Sequence, residues 1–421
     1  MEIKEKLGIK IPCSLKTLTP VHVGSGVKLS KGIDFIATPS SVTIITEAEL
    51  MEHLENNPEE IELFAKGEYK LNALSKMPSG KKYYINNEKV FDIAQFIRNG
   101  LGKPYIPGSS IKGAIRTVIL KNRFKSLSAI RQNSLFEGII SAQNVGKEWA
   151  AEALIKEIFG LDSNHNLMRA LQVFDAQFSE VSLEKVLILS LANLDSTSYA
   201  WKKMGQDVQN QTDPSRATSI FIEALPADAE GNFSLSLNSF LFNNEEAKRL
   251  LKFSEPALES INELVKSINN YSLEKLNKEK AFFVNLTSPT KLDSIIANID
   301  FLIDNLTKLQ KDEFIIRLSW GSGWEGMTGN FLSREWLDKF RKKFGRGMGK
   351  PNFSVFPKTR RIIFEGNEPK YLTGWVKVKL NDSITNSGFA KKQKETDALI
   401  DDSDWAAKLG TKFKVNKKKK N

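Results

Sequence analysis

One cysteine, Cys13, is the only thiol in 421 residues. No intramolecular disulfide and no thiolate-built zinc site can form, which fits a reducing compartment. Cys13 lies in a strand-like segment and reads as a small buried hydrophobe. Histidine is nearly as scarce. His22, His53 and His165 are the whole set, and no two stand at metal-ligand spacing. The longest apolar run, residues 186–194, contains Ser190 and Asn193 and is far too short to span a bilayer. No charged-then-apolar leader opens the sequence. The expectation is a soluble cytoplasmic protein with no membrane contact, no bound metal and no cofactor.

Charge of one sign is also missing locally. Residues 100–131 hold seven Lys or Arg and no acid, whereas residues 47–62 hold seven acids and no Lys or Arg. Residues 338–361 hold nine basic residues and one acid. The net charge is +11, and its segregation suggests a track for a polyanion on one side and a basic partner on the other. Hydrophobic residues make up 41% of the chain, so a sizeable core can form, and the length suits two or three domains.

The densest signal is Tyr105-Ile106-Pro107-Gly108-Ser109-Ser110-Ile111-Lys112-Gly113-Ala114-Ile115-Arg116. It reads as a tight turn, two candidate N-caps (Ser109 and Ser110) and a basic amphipathic helix. Free N–H groups and the macrodipole favour an anion at such a start. Lys112 and Arg116, four apart, share one face, opposite Ile111, Ile115, Val118 and Ile119. The lysine precedes its glycine, so this is not the phosphate-binding loop of a nucleotide triphosphatase.

Residues 321–326 spell G-x-G-x-x-G. A dinucleotide site is rejected, because Trp324 would crowd a pyrophosphate and Glu325 would repel it. The better reading is a glycine loop in which Gly321, Ser322 and Gly323 let backbone approach backbone, with Trp320 and Trp324 placed for base stacking. Downstream, Arg346 and Lys350 alternate with glycines, and Lys358, Arg360 and Arg361 follow. Such a loop can wrap a phosphate backbone. His22 sits beside Gly24, Ser25 and Gly26, where a metal-independent endoribonuclease keeps a general base. That is the enzymatic alternative. Asp34, falling within a predicted strand, has no second carboxylate in its segment to form an acid–base pair. A third reading is a scaffold whose basic surface faces acidic protein neighbours.

Residues 9–18 alternate as a strand, 22–26 form a flexible turn, 32–38 and 42–46 a hairpin, and 47–65 an acidic helix. Residues 66–102 read as an insertion, and 128–159 as a helical one. Strands are predicted at 169–174, 186–194, 216–225 and 232–237. Helices follow at 244–268 and 292–309, a strand at 314–319, a basic helix at 333–344, and strands at 361–364 and 371–380. The order is compatible with an α+β protein of two ferredoxin-like (RRM-like) units with helical insertions. The first spans 1–243, with insertions near 47–102 and 126–168. The second spans 244–385, and 386–421 is a basic, disordered tail.

Three segments carry a resemblance. Leu18-Thr19-Pro20-Val21-His22-Val23-Gly24-Ser25-Gly26 resembles the first-strand end of the RAMP superfamily of CRISPR-associated RNA-binding proteins. Residues 105–116 resemble that family's I-P-G-S-S-x-K-G-x-x-R helix start. Trp320-Gly321-Ser322-Gly323-Trp324 and Pro357-Lys358-Thr359-Arg360-Arg361 narrow the likeness to the fifth-subunit branch of the type III-A, or Csm, complex. The resemblance implies two RAMP domains in a ribonucleoprotein subunit that caps the 3′-end side of the guide RNA (crRNA) filament. Its neighbours would be other Csm-complex subunits, especially the repeated backbone subunit. A part in trimming the guide, through recruited cellular nucleases, is implied as well. By position, Ser109, Ser110, Lys112 and Arg116 would contact the guide backbone, with Gly24–Gly26 and Gly321–Gly329 near it. Target-slicing relatives carry an aspartate in the loop after the first strand. Residues 27–32 contain no carboxylate.

Overall fold

The computed structural model describes residues 10–66, 81–143, 151–203, 211–238, 241, 244–251, 260–318, 320–329, 331–344 and 355–381. The alternation read at the start of the chain becomes β1 (Ile11–Thr17). There Cys13, Leu15 and Thr17 are buried and the residues between them are not. β1 is the spine of the first sheet.

The strands continue as β2 (Gly24–Ser30), β3 (Phe35–Ala37), β4 (Ser41–Ile44), β5 (Lys82–Tyr84) and β6 (Asp92–Phe96). Then come β7 (Tyr105–Ile106), β8 (Leu171–Val173), β9 (Ala176–Gln177), β10 (Ser182–Leu191) and β11 (Tyr199–Trp201). The last are β12 (Ile220–Ala224), β13 (Glu230–Leu237), β14 (Glu313–Arg317), β15 (Thr359–Glu365), β16 (Glu368–Leu372) and β17 (Trp375–Leu380). The first sheet has the order β14-β17-β1-β13-β9-β7, with β8 also on β13. The second runs β16-β15-β10-β12-β6-β2, with β11 also on β10. A small sheet, β3-β4-β5, stands apart. The named strands pair antiparallel except β6 with β12.

Strands from both sides of residue 243 share each large sheet, as two contiguous blocks. The seams are β1–β17, with Leu15 opposite Val378, and β10–β15, with Leu187 opposite Ile362.

The helices are α1 (Glu47–Asn56), α2 (Pro58–Ala65), α3 (Gly108–Ser126), α4 (Ala129–Ser141), α5 (Glu152–Phe159), α6 (Glu245–Leu251), α7 (Ile261–Val284), α8 (Asp293–Thr307), α9 (Gly323–Thr328) and α10 (Arg334–Phe344). One core packs Leu15, Phe233 and Val376 against Ile111, Ile115 and Val118 of α3 and Leu264 and Ile268 of α7. A second packs Leu189, Ile362 and Phe364 against Phe283, Ile295 and Leu302. α7 therefore serves both cores. Each such fully buried Leu, Ile or Phe contributes roughly 1.5–3 kcal/mol of transfer free energy.

Several expectations need correction. Residues 22–26 are not a free turn, because β2 begins at Gly24 and pairs with β6 through a bulge. β6 lies inside the second sheet, so 66–102 is not wholly an insertion. The acidic helix breaks into α1 and α2, since Pro58 fits only a first turn. Asp34 lies in the turn before β3, where its Oδ2 accepts the Ser30 N–H at 2.7 Å. The helix expected at 244–268 is two helices, and α7 runs on to Val284. The strand expected at 371–380 is broken at Gly374, whose φ is 90°. Residues 386–421 lie outside the described residues. Among the described residues, no helix is long and apolar enough to cross a membrane.

Candidate nucleic-acid interface

α3 starts where the chain turns off β7. A Cβ on Gly108 would lie 2.1 Å from the Val173 carbonyl oxygen, so only glycine fits there. The Gly108 N–H donates to Asp175 Oδ1 at 2.8 Å. The expected caps are therefore not caps. Ser109 and Ser110 lie inside the first turn, Ser109 exposed and Ser110 half-buried. A carboxylate of the protein already holds one amide where an outside anion was expected.

The cations of this helix divide by partner. Lys121 and Lys125 both reach Glu274, at 2.7 and 3.4 Å. Arg131, just beyond, is bidentate to Glu157. Lys112 and Arg116 have no ion pair among the described residues. Both are half-buried, and burial pulls each below its ordinary pKa. Arg116 lies 4.4 Å above the Phe159 ring, a cation–π contact that fixes its direction.

The two glycine segments, some 300 residues apart, meet around one histidine. His22 is 2% exposed, and its Nδ1 lies 2.6 Å from the Glu223 carbonyl. Its ring stands edge-on to Trp320 at 5.5 Å and Phe96 at 6.2 Å. A Cβ on Gly24 would press on His22 Nε2 at 3.1 Å. Burial lowers the pKa of the imidazole, against the pull of Glu223. The Glu223 carboxylate is itself fixed by Arg98, Tyr83 and the Phe96 N–H. A base for RNA cleavage must reach a ribose hydroxyl. This ring is instead enclosed, and it joins the end of β1 to the second glycine loop. Gly24, Ser25 and Gly26 are exposed; Gly26 has φ 89°, and Ser25 Oγ donates to Gln95 at 3.1 Å.

Gly321 has φ 86°, and a Cβ there would meet Thr373 Oγ1 at 2.1 Å. The close approach is to a side chain, not to the backbone expected from the sequence. Arg317 secures it, donating from Nε to the Thr373 carbonyl at 2.8 Å and from Nη2 to the Gly321 carbonyl at 3.1 Å.

Beside this loop lies a cleft of about 240 Å³. Lys202, Lys275, Arg317, Arg360 and Arg361 line it, against Glu279 and Glu325. Gly321, Ser322, Gly323 and Trp324 form one wall. Arg360 faces inward, where its Nε donates to Glu279 at 2.7 Å and both side chains are under 10% exposed. Its guanidinium is committed to the fold rather than offered to a ligand. Arg361 is half-buried over the Trp320 ring at 4.7 Å, and its buried Nε has no hydrogen-bond partner among the described residues. Lys358 is exposed. Trp324 also lines an adjoining apolar groove of about 570 Å³ with Arg116, Phe136, Met327 and Phe356. Arg346 and Lys350 lie outside the described residues.

Lys275, Glu279 and Arg317 were not singled out in the sequence. The signal was present: 264, 268, 271, 275, 279 and 282 continue one face of α7, and two of those positions are charged.

The fold and this basic site define an α+β protein with cations left facing outward. The family follows from comparison: the chain belongs to the RAMP superfamily, whose model matches residues 14–324. No curated protein matches it. Among solved structures, it is similar to a chain of the cryo-EM structure of a Csm-crRNA-target RNA ternary complex in a type III-A CRISPR-Cas system. The TM-score is 0.61 at 22% identity, covering 88% of this chain and 100% of that one. It is similar also to the crystal structure of T. onnurineus Csm5, with TM-score 0.56 at 20% identity, covering 86% of this chain and 99% of that one. At these identities the likeness is one of fold.

Proposed function

We propose that this chain is a guide-RNA-binding subunit of a type III-A CRISPR effector complex in the cytoplasm. It caps the 3′-end side of the crRNA beside the repeated backbone subunit, and it contributes to guide maturation without cutting RNA itself. Cellular nucleases do the trimming. The blocks 1–243 and 244–385 are two ferredoxin-like RAMP modules fused through shared sheets. The observation that carries the reading is the pair Lys112 and Arg116, half-buried cations without carboxylate partners among the described residues, on one face of the family's signature helix. A half-buried cation without a counter-charge is favoured where an anion supplies it. The aromatic groove rimmed by Arg116 and Trp324 suits stacked bases, and Ser109 and the exposed Gly24–Gly26 segment can approach a phosphate backbone closely.

The test is a reconstituted complex carrying Lys112→Ala and Arg116→Ala together. The expected result is lower guide retention, shorter or heterogeneous guides at the 3′ end, and a salt slope of RNA binding smaller by about 1.4, at roughly 0.7 per lost contact. Unchanged guide length and retention, with no crosslink from this subunit to the 3′ half of the guide, would refute the reading.

A further inference from the structure

α7 buries an apolar face along both cores, yet Lys275 interrupts it. The Lys275 side chain is 4% exposed and lines the cleft. It makes no hydrogen bond or ion pair among the described residues. Its Nζ lies 3.1 Å from where a Cβ on Gly326 would stand, directly beneath the turn of α9. Arg361 enters from β15 with its buried Nε equally unpartnered. The Ser322 hydroxyl, between them in sequence, does not cap α9. The other buried charges are engaged, and Lys202 is exposed at the rim. Arg360 holds Glu279, Arg317 holds the Gly321 and Thr373 carbonyls, and Lys278 holds Glu325. One buried and one half-buried cation without an ion pair among the described residues, the exposed Lys202 and a hydroxyl thus surround a void of about 240 Å³. That lies below the roughly 300 Å³ at which pockets for whole small molecules begin, and it is ample for one phosphate group.

We propose that this cleft seats one phosphate of the bound RNA, with Lys275 and Arg361 donating to its oxygens. The proposal rests on the RNA-binding reading above and adds a site and a proton linkage to it. Burial, and then Arg317, lower the Lys275 pKa to about 7, against Glu279 and Glu325, with Arg360 adding to the decrease. The Tyr271 ring, 5.9 Å away, and Lys202 and Arg361 complete the charged and titratable surround. Without a ligand, the amine is half-protonated near neutrality. A phosphate favours its charged form, so affinity falls as pH rises above 7.

The test measures binding of a labelled single-stranded RNA oligonucleotide to the full chain at pH 6.5, 7.5 and 8.5. Wild type is compared with Lys275→Met and, separately, Arg361→Met. Lys275→Met is expected to weaken binding about tenfold at pH 6.5, the scale of one hydrogen bond to a charged group, and to flatten the pH dependence. Arg361→Met should weaken binding similarly and keep the pH slope. If both folded variants bind within twofold of wild type while the Lys112/Arg116 variant loses affinity, the seat is refuted and the RNA-binding reading stands. If wild type neither binds nor crosslinks to RNA, both fall. Inorganic phosphate is the third arm. If it stabilises wild type but not Lys275→Met, and RNA affinity is the same in both, the seat serves a free anion and the proposal is overturned.

Discussion

The Arg360–Glu279 pair offers the sharpest test of how the cleft is built. The side chains are 7% and 3% exposed and 2.7 Å apart. Arg360→Met leaves a buried carboxylate whose remaining counter-charges are Lys275 and Arg317, neither in direct contact with it. Breaking a buried pair from one side costs about 3–5 kcal/mol, and those two cations place this variant near 3. Glu279→Leu is worse, near 5, because it leaves Lys275, Arg317 and Arg360 together without their shared carboxylate. The double variant removes both charges and should cost about 5–6 kcal/mol rather than the additive 8, a coupling energy of about 2–3 kcal/mol. Urea unfolding of all four proteins, followed by two spectroscopic probes because α7 serves two cores, gives the cycle. Glu279 adds a pH signature. Burial pushes its pKa up, but Arg360, Arg317 and Lys275 outweigh that and hold it below the ordinary value. A depressed carboxylate contributes stability that is present above its unfolded pKa and lost as pH falls through its folded one. The coupling should therefore persist at pH 5 and fade only under stronger acid. Additivity within about 0.5 kcal/mol at pH 7 would show that the two groups do not meet as described.

Two glycines in α3 should respond oppositely. Gly108→Ala drives a Cβ against the Val173 backbone and should destabilise by about 2–3 kcal/mol, whereas Gly113→Ala meets nothing and should stabilise by about 0.5–1 kcal/mol. Equal melting shifts would contradict that placement. Lys275 makes folding pH-dependent in a defined direction. Its pKa is about 7 folded and near 10.5 unfolded, so the unfolded chain binds more protons between those values and wild-type stability gains on Lys275→Met as pH rises from 7 to 10. A stability difference that stays flat over that range would mean the amine is not buried.

The parts of this fold legible in the sequence were those governed by local rules. Period-two alternation gave β1, the 111–115–118–119 stripe gave α3, and the basic amphipathic run at 333–344 gave α10. The glycine loop at 321–323 was read for its ability to bring backbones together, but what Gly321 admits is the Thr373 side chain. What was not legible depended on distant partners. Gly24–Gly26 looked like a free turn because glycines carry no pattern, and only pairing with β6 makes them a strand. β6 itself is five residues within a region of mixed signals, and it is recognisable only beside β12. Asp175 displaced Ser109 and Ser110 as the partner of the helix start from 67 residues away. Lys275 and Glu279 were hidden because charged residues on a helix are ordinarily assigned to its wet side. Here they sit where α7 passes from one core to the other.

The two seams also dictate how the molecule comes into being. When the ribosome has released only the first 243 residues, β1 and β10 each lack a neighbour that will be synthesised more than a hundred residues later. The nascent chain thus waits with two open hydrogen-bonding rims, which invite association with other chains. Neither half can be cut away without re-exposing those rims. Two fragments divided near residue 243 should therefore reassemble by strand complementation when expressed together, and each should aggregate when expressed alone.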